Sequence, residues 1–431
     1  MAEIIDRAAL SRDVARVFER ISRGFADPFR DERHVATQST YRAISEAKTP
    51  EHEVLVRDAL LRWVHELLQR RIGADLATDE QEAVEKVDDR FVNDPPNTYA
   101  EARRALVLAT NPVLATNALA RLADVALPVA AVRKEQRARR FEAARRLGLG
   151  HPLSLAGDVD KRVALARALL DSTEGIAEEM RRRARLTGTS AAPAIHHAFA
   201  RSANDGWPAA LTARWLDDVF SALLVRPFAP PAMPNAIGGA SFLRAASAWG
   251  HAYRLAGTAK SLPFVLARDP YSRDAFRFGA VLAVAVADPL FQKKKLGLGA
   301  RTAESQARAL RETLLFEARS QAMRFLLTQK VEIDPGAFEE ITARVYGVPL
   351  PPALRHAWPE PRIDELTRFD AVLLAQGFAR DLVERYDEDW FANPKTGAHL
   401  AGIAAGPIAT DIPIEEKAPE TIGRAFERAL G

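Results

Sequence analysis

The side chains of this chain most able to do chemistry are its histidines. Nine histidines are spread over 431 residues, and no two of them are four positions apart. That spacing is the one that places two imidazoles on one face of a helix, where they can share a metal ion. His196 and His197 are adjacent, so on a helix they point about 100° apart and cannot both bind one ion. His251 stands alone in an apolar stretch, which is typical of a packed core histidine.

The element that must position His251 is the stretch 241–257, with the sequence SFLRAASAWGHAYRLAG. Its large apolar residues recur at spacings of three and four, which predicts one buried helical face formed by Phe242, Ala246, Trp249 and Tyr253. A loop and a second buried helix follow, the latter built on the apolar run 278–287. Because a bilayer span needs about 20 apolar residues, this shorter run predicts a core helix.

The order of elements from 204 to 291 resembles the helical zinc-peptidase body of the thimet oligopeptidase and oligoendopeptidase F type. In that family a buried helix carries His-Glu-x-x-His, often within HExGHAxH, and a glutamate about 25 residues later completes the zinc site. Gly250, His251 and Ala252 match this motif. Ser247 stands in place of the first histidine, and Ala248 stands in place of the catalytic glutamate.

Further departures from the family pattern determine what the resemblance implies. Arg254 replaces another family histidine, and the segment 275–279, where the glutamate would lie, offers the cation of Arg277. The resemblance covers residues 200–400 and implies a zinc-peptidase-like protein that has lost its metal site, with no catalytic residue, metal or cofactor. It also implies a residual cleft that binds a peptide or a protein partner and is lined by Trp249, His251, Tyr253 and Arg277.

Two functions of other classes stay open. The chain is alternatively a helical scaffold without peptidase ancestry, acting through arginine-rich faces or proline-rich loops. As a second alternative it is an active metallopeptidase whose ligands come from elsewhere, among His196, His197, His251 and His356. A deep cleft lined by Trp249, His251 and Tyr253 favours the first hypothesis, a convex body without a cleft favours the scaffold, and bound metal favours the peptidase.

The architecture predicted from the whole sequence is all-α. Apolar residues make up 48% of the chain, enough for a large core, and no segment shows the period-two alternation of a strand. We expect two helical lobes around a cleft, 1–190 and 191–431, with the peptidase-like core at 241–291 in the second lobe. The soft boundary between them is the segment TGTSAAP at 187–193.

Helix boundaries follow from breakers and caps along the chain. A helix over 51–72 is predicted to end at Gly73, and Thr212 is predicted to cap a helix over 213–225. Two separate helices are predicted near 113–125 and 128–147. The stretch after the second core helix, DPLFQKKKLGLG, is predicted to be a loop with a basic patch.

The charge and the cysteine content limit the kinds of partner and site that we expect. There are 60 basic and 57 acidic residues, so the basic clusters at 133–146, 181–185 and 293–295 are interpreted as solvated helix faces, and no nucleic-acid binding is expected. The absence of cysteine excludes disulfides and thiolate metal sites. The N-terminal residues lack a signal-peptide pattern, so we expect a cytoplasmic protein that does not enter a membrane. The sequence does not indicate an oligomeric state.

Overall fold

The computed structural model describes residues 6–88, 99–186, 190–198, 203–229, 231–233, 238–358, 362–410 and 412–431. Over these ranges the regular structure is helical, with no strand, and the prediction of an all-α fold is confirmed. Four short 3₁₀ helices accompany the α-helices of the described chain. In order, these are α1 Arg7–Ser22, α2 Gln38–Glu46, α3 Val54–Asp75, α4 Ala77–Asp88, α5 Tyr99–Leu108, α6 Pro112–Arg146, α7 Val159–Ser172, α8 Glu174–Arg183, α9 Ala192–His197, α10 Ala213–Val219, α11 Gly239–Gly257, α12 Phe264–Ala267, α13 Arg273–Val286, α14 Pro289–Leu296, α15 Ala300–Leu326, α16 Pro335–Tyr346, α17 Glu365–Tyr386, α18 Pro394–Ala405 and α19 Ala418–Leu430.

Side-chain caps begin many of these helices. The predicted cap at Thr212 is present, since its hydroxyl accepts a hydrogen bond from the Trp215 backbone N–H at 3.2 Å. Short polar side chains do the same at other helix starts because the first N–H groups of a helix have no partner within it. These caps are Asp6, Thr37, Asn111, Asp158, Asp288, Asp334 and Asn393.

Three predicted boundaries are wrong. The helix predicted to end at Gly73 continues to Asp75, and the helix predicted over 213–225 ends at Val219. The segment expected to be a basic loop contains α14, because Asp288 caps its start, Pro289 occupies the first turn and Gly297 ends it in the left-handed conformation. The two helices expected near 113–125 and 128–147 are present as two limbs, 112–124 and 126–146, of one continuous element, α6, with Pro128 inside it. Proline removes the hydrogen bond to the carbonyl four residues earlier, and accordingly the axes of 112–124 and 126–146 differ by 55°.

The length and apolarity of the helices bear on membrane insertion. No single helix of the described chain is long and apolar enough to cross a bilayer. The two limbs of α6 reach that length and composition only when they are taken together across their bend.

Three clusters of buried apolar side chains form the core. One lies between α1, α2, α3 and α12, and a second surrounds α10, α11, α13, α14 and α18. The largest combines α5, α6, α7 and α9 with α15, α16, α17 and α19. It therefore draws on both sides of the boundary expected near residue 190, and the division into two lobes stays a prediction.

Helices α11 and α13 cross very closely, and two glycines make this approach possible. A Cβ atom at Gly250 would lie 2.7 Å from the carbonyl oxygen of Phe278, and one at Gly279 would lie 2.4 Å from the carbonyl oxygen of Ser247. Both distances are shorter than van der Waals contact with backbone that cannot swing away. The two glycines thus hold the central turn of α11, which carries Ser247 and His251, directly against α13.

A buried ion cluster ties the ends of these helices to α18. Arg254 donates to Asp274 at 2.6 Å, and Arg277 donates to the same carboxylate at 2.7 Å. The Arg254 guanidinium also donates to the carbonyl oxygens of Ala404 at 3.0 Å and Pro407 at 2.7 Å. Arg254, which stands where the resembled family has a histidine, is therefore a structural residue.

The arginine-rich part of α6 is only partly a solvated face. Arg139, Arg145 and Arg146 are exposed, as predicted. The prediction is wrong for Arg133, which is 5% exposed and bonds Glu80 at 2.7 Å and the Ala357 carbonyl at 2.7 Å. Arg133 lies on the inner face of α6, whereas the three exposed arginines lie at other positions around the helix.

Candidate functional site

A cavity of about 1560 Å³ opens beside the middle of α11. Its walls come from α1, α3, α5, α9, α11, α13, α15, α16, α17 and α19, together with the connection between α12 and α13 and the residues before α17. Helix α11 contributes a continuous stripe, which we call its cavity face: Leu243, Arg244, Ser247, Ala248, His251 and Leu255. The three positions that correspond to the zinc-binding motif of the resembled family, 247, 248 and 251, therefore line one cavity.

Trp249 and Tyr253 lie on the other side of α11 and are not among the residues that line this cavity. Both are buried, and their rings stack on each other with centroids 5.4 Å apart. The Trp249 indole Nε1–H donates to Asp217 at 2.7 Å. With Phe242, Ala246 and Gly250 they form what we call the core face of α11. Residues two apart on a helix point about 200° apart, which explains why Trp249 and His251 separate.

His251 is half-buried, and its Nε2 atom has no hydrogen-bond partner among the described residues. Burial lowers the pKa of this imidazole to about 4, and the neighbouring charges of Arg368 and Arg268 act in the same direction, while Asp364 opposes them. The side chain is therefore neutral at pH 7, with one ring nitrogen able to accept a hydrogen bond.

Phe276 of α13 occupies the place opposite His251, with the two ring centroids 4.7 Å apart. It lies in the segment 275–279, where the glutamate of the resembled family was expected and where the sequence offered Arg277. The guanidinium of Arg368 lies 4.3 Å above the Phe276 ring and pairs with Asp364 at 2.9 Å. Arg277 does not line the cavity, since its guanidinium pairs with Asp274 and lies over the Phe378 ring on the core side.

The residues around His251 do not fit a zinc ion. Catalytic zinc takes three nitrogen, sulfur or carboxylate ligands and keeps one open position. Here the imidazole of His251 is accompanied by a serine hydroxyl at 247, a methyl group at 248 and an aromatic ring at 276. The nearby guanidinium of Arg368 would also repel a cation. Within the described ranges, no three histidine or acidic side chains are placed to share a metal ion.

The other histidines offered as ligands have separate surroundings. His197 lies 3.5 Å from Glu312, and His356 lies 3.3 Å from Glu332. His196, His197 and His356 are not among the residues lining the cavity. Of the four candidate ligands, the structure thus brings only His251 to this site.

A buried polar pair supports the opposite wall. The Tyr271 hydroxyl lies 2.9 Å from Nδ1 of His65, and both side chains are almost fully buried. Burial lowers the pKa of His65 to about 4 and raises that of Tyr271 well above its ordinary value. Both groups are consequently neutral at physiological pH, and they fix the connection into α13 against α3.

Positive charge is the feature of the cavity that sequence reasoning missed. Three carboxylates line it in the described chain, Asp269, Glu317 and Asp364, against eight arginines. The arginines come from α3, α5, α11, α15, α17 and the segments next to α12 and α17, so no local pattern in the sequence brings them together. They are Arg70, Arg103, Arg104, Arg244, Arg268, Arg324, Arg362 and Arg368.

Comparison with known proteins gives one informative likeness. No protein-family model matches the chain, and no curated protein matches it either. Among solved structures it is similar to a crystal structure described as an oligoendopeptidase F from Bacillus anthracis str. Ames, with a TM-score of 0.50 and 10% sequence identity over 99% of this chain and 84% of that chain. At this identity the likeness concerns the fold alone. The chain has an all-helical, oligoendopeptidase-like fold.

Proposed function

We propose that this protein is a non-catalytic relative of the oligoendopeptidase-type metallopeptidases and that it binds peptides in the cavity beside α11. One observation carries the proposal. The residues at the three motif positions, Ser247, Ala248 and His251, line a large cavity in an oligoendopeptidase-like fold, yet only one of them is able to bind zinc. In this proposal the cavity corresponds to the active site of the peptidases, and the side chains that would bind zinc and activate water are replaced.

The size and lining of the cavity favour a peptide as the ligand. Its volume of about 1560 Å³ exceeds the range of about 300–1,000 Å³ that suits small ligands. Its wall mixes aromatic side chains, such as Trp63, Phe316 and Trp358, with polar groups such as Ser320 and Gln321. Aromatic surface and dispersed hydrogen-bonding groups together suit an extended chain that presents both apolar side chains and a polar backbone.

The charge of the wall favours acidic peptides. Arginines outnumber carboxylates in it, and two of the carboxylates, Glu317 and Asp364, already pair with Arg244 and Arg368. Guanidinium groups bind carboxylates through two parallel hydrogen bonds, a geometry that rewards aspartate and glutamate side chains or a terminal carboxylate.

The proposed absence of peptidase activity follows from the roles that chemistry requires. A zinc peptidase needs an open metal position for water and a base that takes the proton from it. Ala248 has no group that accepts a proton, and Phe276 has no atom that binds a metal. His251 by itself would hold zinc only weakly.

Binding of labelled peptides tests the proposal directly. Acidic, neutral and basic fluorescein-labelled decapeptide pools are titrated with the protein and followed by fluorescence anisotropy. We expect saturable binding, tightest for the acidic pool. Ala248→Trp, which fills the cavity, should weaken it by at least about tenfold, and Ala8→Trp on the exposed surface of α1 serves as the matched control. If no pool binds, or if Ala248→Trp binds as the parent does, the scaffold hypothesis is preferred.

Metal analysis and a cleavage assay separate the proposal from the active-peptidase alternative. Protein purified without added metal should contain far less than one zinc per chain, His251→Ala should leave that content unchanged, and no peptide should be cleaved. Stoichiometric zinc that disappears in His251→Ala, together with cleavage that a chelator stops, would establish an active enzyme instead.

A further inference from the structure

A second, smaller cavity lies on the inner side of α6. Its volume is about 50 Å³, and it is enclosed by α3, α6, the loop at 151–153, the end of α15 and the residues just before α17. One buried water needs roughly 10–15 Å³ of such space, so the cavity holds a few waters or one small ion but no peptide. Its lining residues are Gln69, Arg133, Gln136, Arg137, Arg140, Phe141, His151, Pro152, Leu153, Thr328, Arg362 and Ile363.

Four arginines line this small cavity, and no aspartate or glutamate of the described chain does so. Two of the four have protein partners. Arg133 pairs with Glu80, and Arg137 donates to the Leu327 carbonyl at 2.8 Å. Arg140 and Arg362 make no ion pair or hydrogen bond with any described residue, and the Nε atom of Arg140 is buried without a partner.

Burial weakens the solvation of two of these cations. It is the largest cause that lowers the pKa of Arg137 and of Arg140 to about 10, and acidic neighbours oppose it, Glu332 for Arg137 and Glu66 and Glu80 for Arg140. Arg140 is half-buried and Arg362 is exposed, so the cavity is reachable from solvent. Several like charges around a small, partly desolvated space repel one another, and a bound oxyanion would relieve that repulsion.

The remaining wall shapes the cavity but does not neutralise it. His151 is held as a neutral imidazole, because its Nδ1 accepts the Leu153 backbone N–H at 3.0 Å and its Nε2 lies 3.3 Å from the Thr328 carbonyl. Phe141 packs edge-on against this ring at 4.9 Å. Apolar side chains thus exclude water from one side of the space, which strengthens any charge-assisted hydrogen bond formed there.

Gly73 in α3 leaves space for the Arg140 side chain. Gly73, predicted to end a helix at residue 72, lies inside α3. A Cβ atom there would come within 3.0 Å of Gln136 Nε2 and 3.3 Å of Arg140 Nη2. Glycine inside a helix costs about 1 kcal/mol relative to alanine, and here its bare backbone lets both side chains reach into the cavity.

We propose that this small cavity is an oxyanion-binding site in which Arg140 and Arg362 hold a phosphate or carboxylate group, with Arg137 beside them. Guanidinium groups donate two parallel hydrogen bonds to such anions, and Arg140 and Arg362 have their donors available. The inference does not depend on peptide binding in the large cavity, although Arg362 lines both spaces.

The test uses inorganic phosphate and acetate as probes of the two anion classes. Calorimetric titrations of the full chain are carried out at low ionic strength, with Arg140→Gln and Arg362→Gln as variants. Arg139→Gln is the matched control, because Arg139 is exposed on the same helix and pairs with Glu135. We expect saturable binding of phosphate, of acetate or of both, weakened by at least about tenfold in each cavity variant and unchanged in the control.

The relative affinity of the two probes identifies the natural ligand class. Tighter phosphate binding indicates a phosphate group, and tighter acetate binding indicates a carboxylate. Thermal melts provide a second readout, in which the anion that binds should raise the melting temperature of the parent and of Arg139→Gln but not that of Arg140→Gln. The proposal is overturned if the parent binds neither probe, or if Arg140→Gln and Arg139→Gln bind them equally.

Discussion

The two faces of α11 are built from the same helix but differ in nearly every physical respect. The core face, with Phe242, Trp249 and Tyr253, is buried in aromatic contacts and hydrogen-bonded through Trp249. The cavity face has a hydroxyl, a methyl group and a neutral imidazole in front of open space. The difference indicates that one side of the helix specifies the fold, while the half-buried middle of the other side, at Ser247, Ala248 and His251, is able to change its chemistry.

The same glutamate substitution on each face gives the largest contrast. Ala246 is 1% exposed in the core face, so Ala246→Glu would bury an unpaired carboxylate and should prevent folding at 37 °C. Ala248→Glu places its carboxylate in a cavity lined by arginines and should change the free energy of unfolding by no more than about 0.5 kcal/mol. Circular dichroism and urea unfolding measure both. Equal tolerance of the two variants would contradict the division into faces.

Trp249→Ala should give the next largest change in the free energy of unfolding. The variant removes a large ring that packs against Phe220, Phe228 and Tyr253, and it should lower the free energy of unfolding by about 3–5 kcal/mol. Leu255→Ala on the cavity face is the control and should cost about 1 kcal/mol, because Leu255 is only half-buried. If Trp249→Ala melted within a degree or two of the parent, the core face would be misassigned.

The close crossing of α11 and α13 gives a smaller effect. Gly279→Ala would place a methyl group against the Ser247 carbonyl and should lower the free energy of unfolding by about 1–3 kcal/mol. Gly377→Ala in α17 meets no atom within 4 Å and should be neutral or stabilising, by up to about 1 kcal/mol, since alanine favours a helix. Chemical denaturation distinguishes the two. A stabilising Gly279→Ala would show that the helices are farther apart than described.

The neutral imidazole of the cavity face predicts a pH dependence. His251 has a pKa of about 4 in the folded protein, whereas a histidine of the unfolded chain titrates near 6.5. The unfolded state therefore binds more protons between these values, and the free energy of unfolding falls as the pH falls from about 6.5 to 4. His251→Gln should remove about 1 kcal/mol of this loss at pH 5, allowing for partial exposure. Urea unfolding at several pH values measures the slope, and an unchanged slope in the variant would contradict the lowered pKa.

The fold was predictable where local chemistry decides it. The helical period over 241–257 predicted α11, which begins two residues earlier than expected, and Thr212 caps α10 as predicted. Gly73 did not end α3, which continues to Asp75. Short helices such as α2, α14 and α18 were not predicted, because so few residues show little helical periodicity. Their stability comes from caps and tertiary packing.

The candidate site was predictable in part. The position of the cleft beside 247–251 followed from the resemblance, and helix geometry alone would have separated Trp249 from His251. The arginines of the cavity wall were beyond sequence reasoning, since Arg70, Arg268 and Arg368 lie on elements that only the tertiary fold brings together. The same is true of Arg140, which pattern reasoning placed with the exposed arginines of its helix.

The placement of α19 has a consequence for how the chain folds during synthesis. Residues 418–430 pack against α7, and the Leu430 carbonyl accepts hydrogen bonds from Arg183 at 2.8 Å, 247 positions away in the sequence, and from Arg308 at 2.6 Å. The apolar faces of α7 and its neighbours are thus uncovered until these late residues leave the ribosome. At about 5–20 residues per second, that exposure lasts on the order of ten seconds or more. A chaperone that shields apolar helices should therefore associate with nascent chains of this protein until residue 430 has emerged.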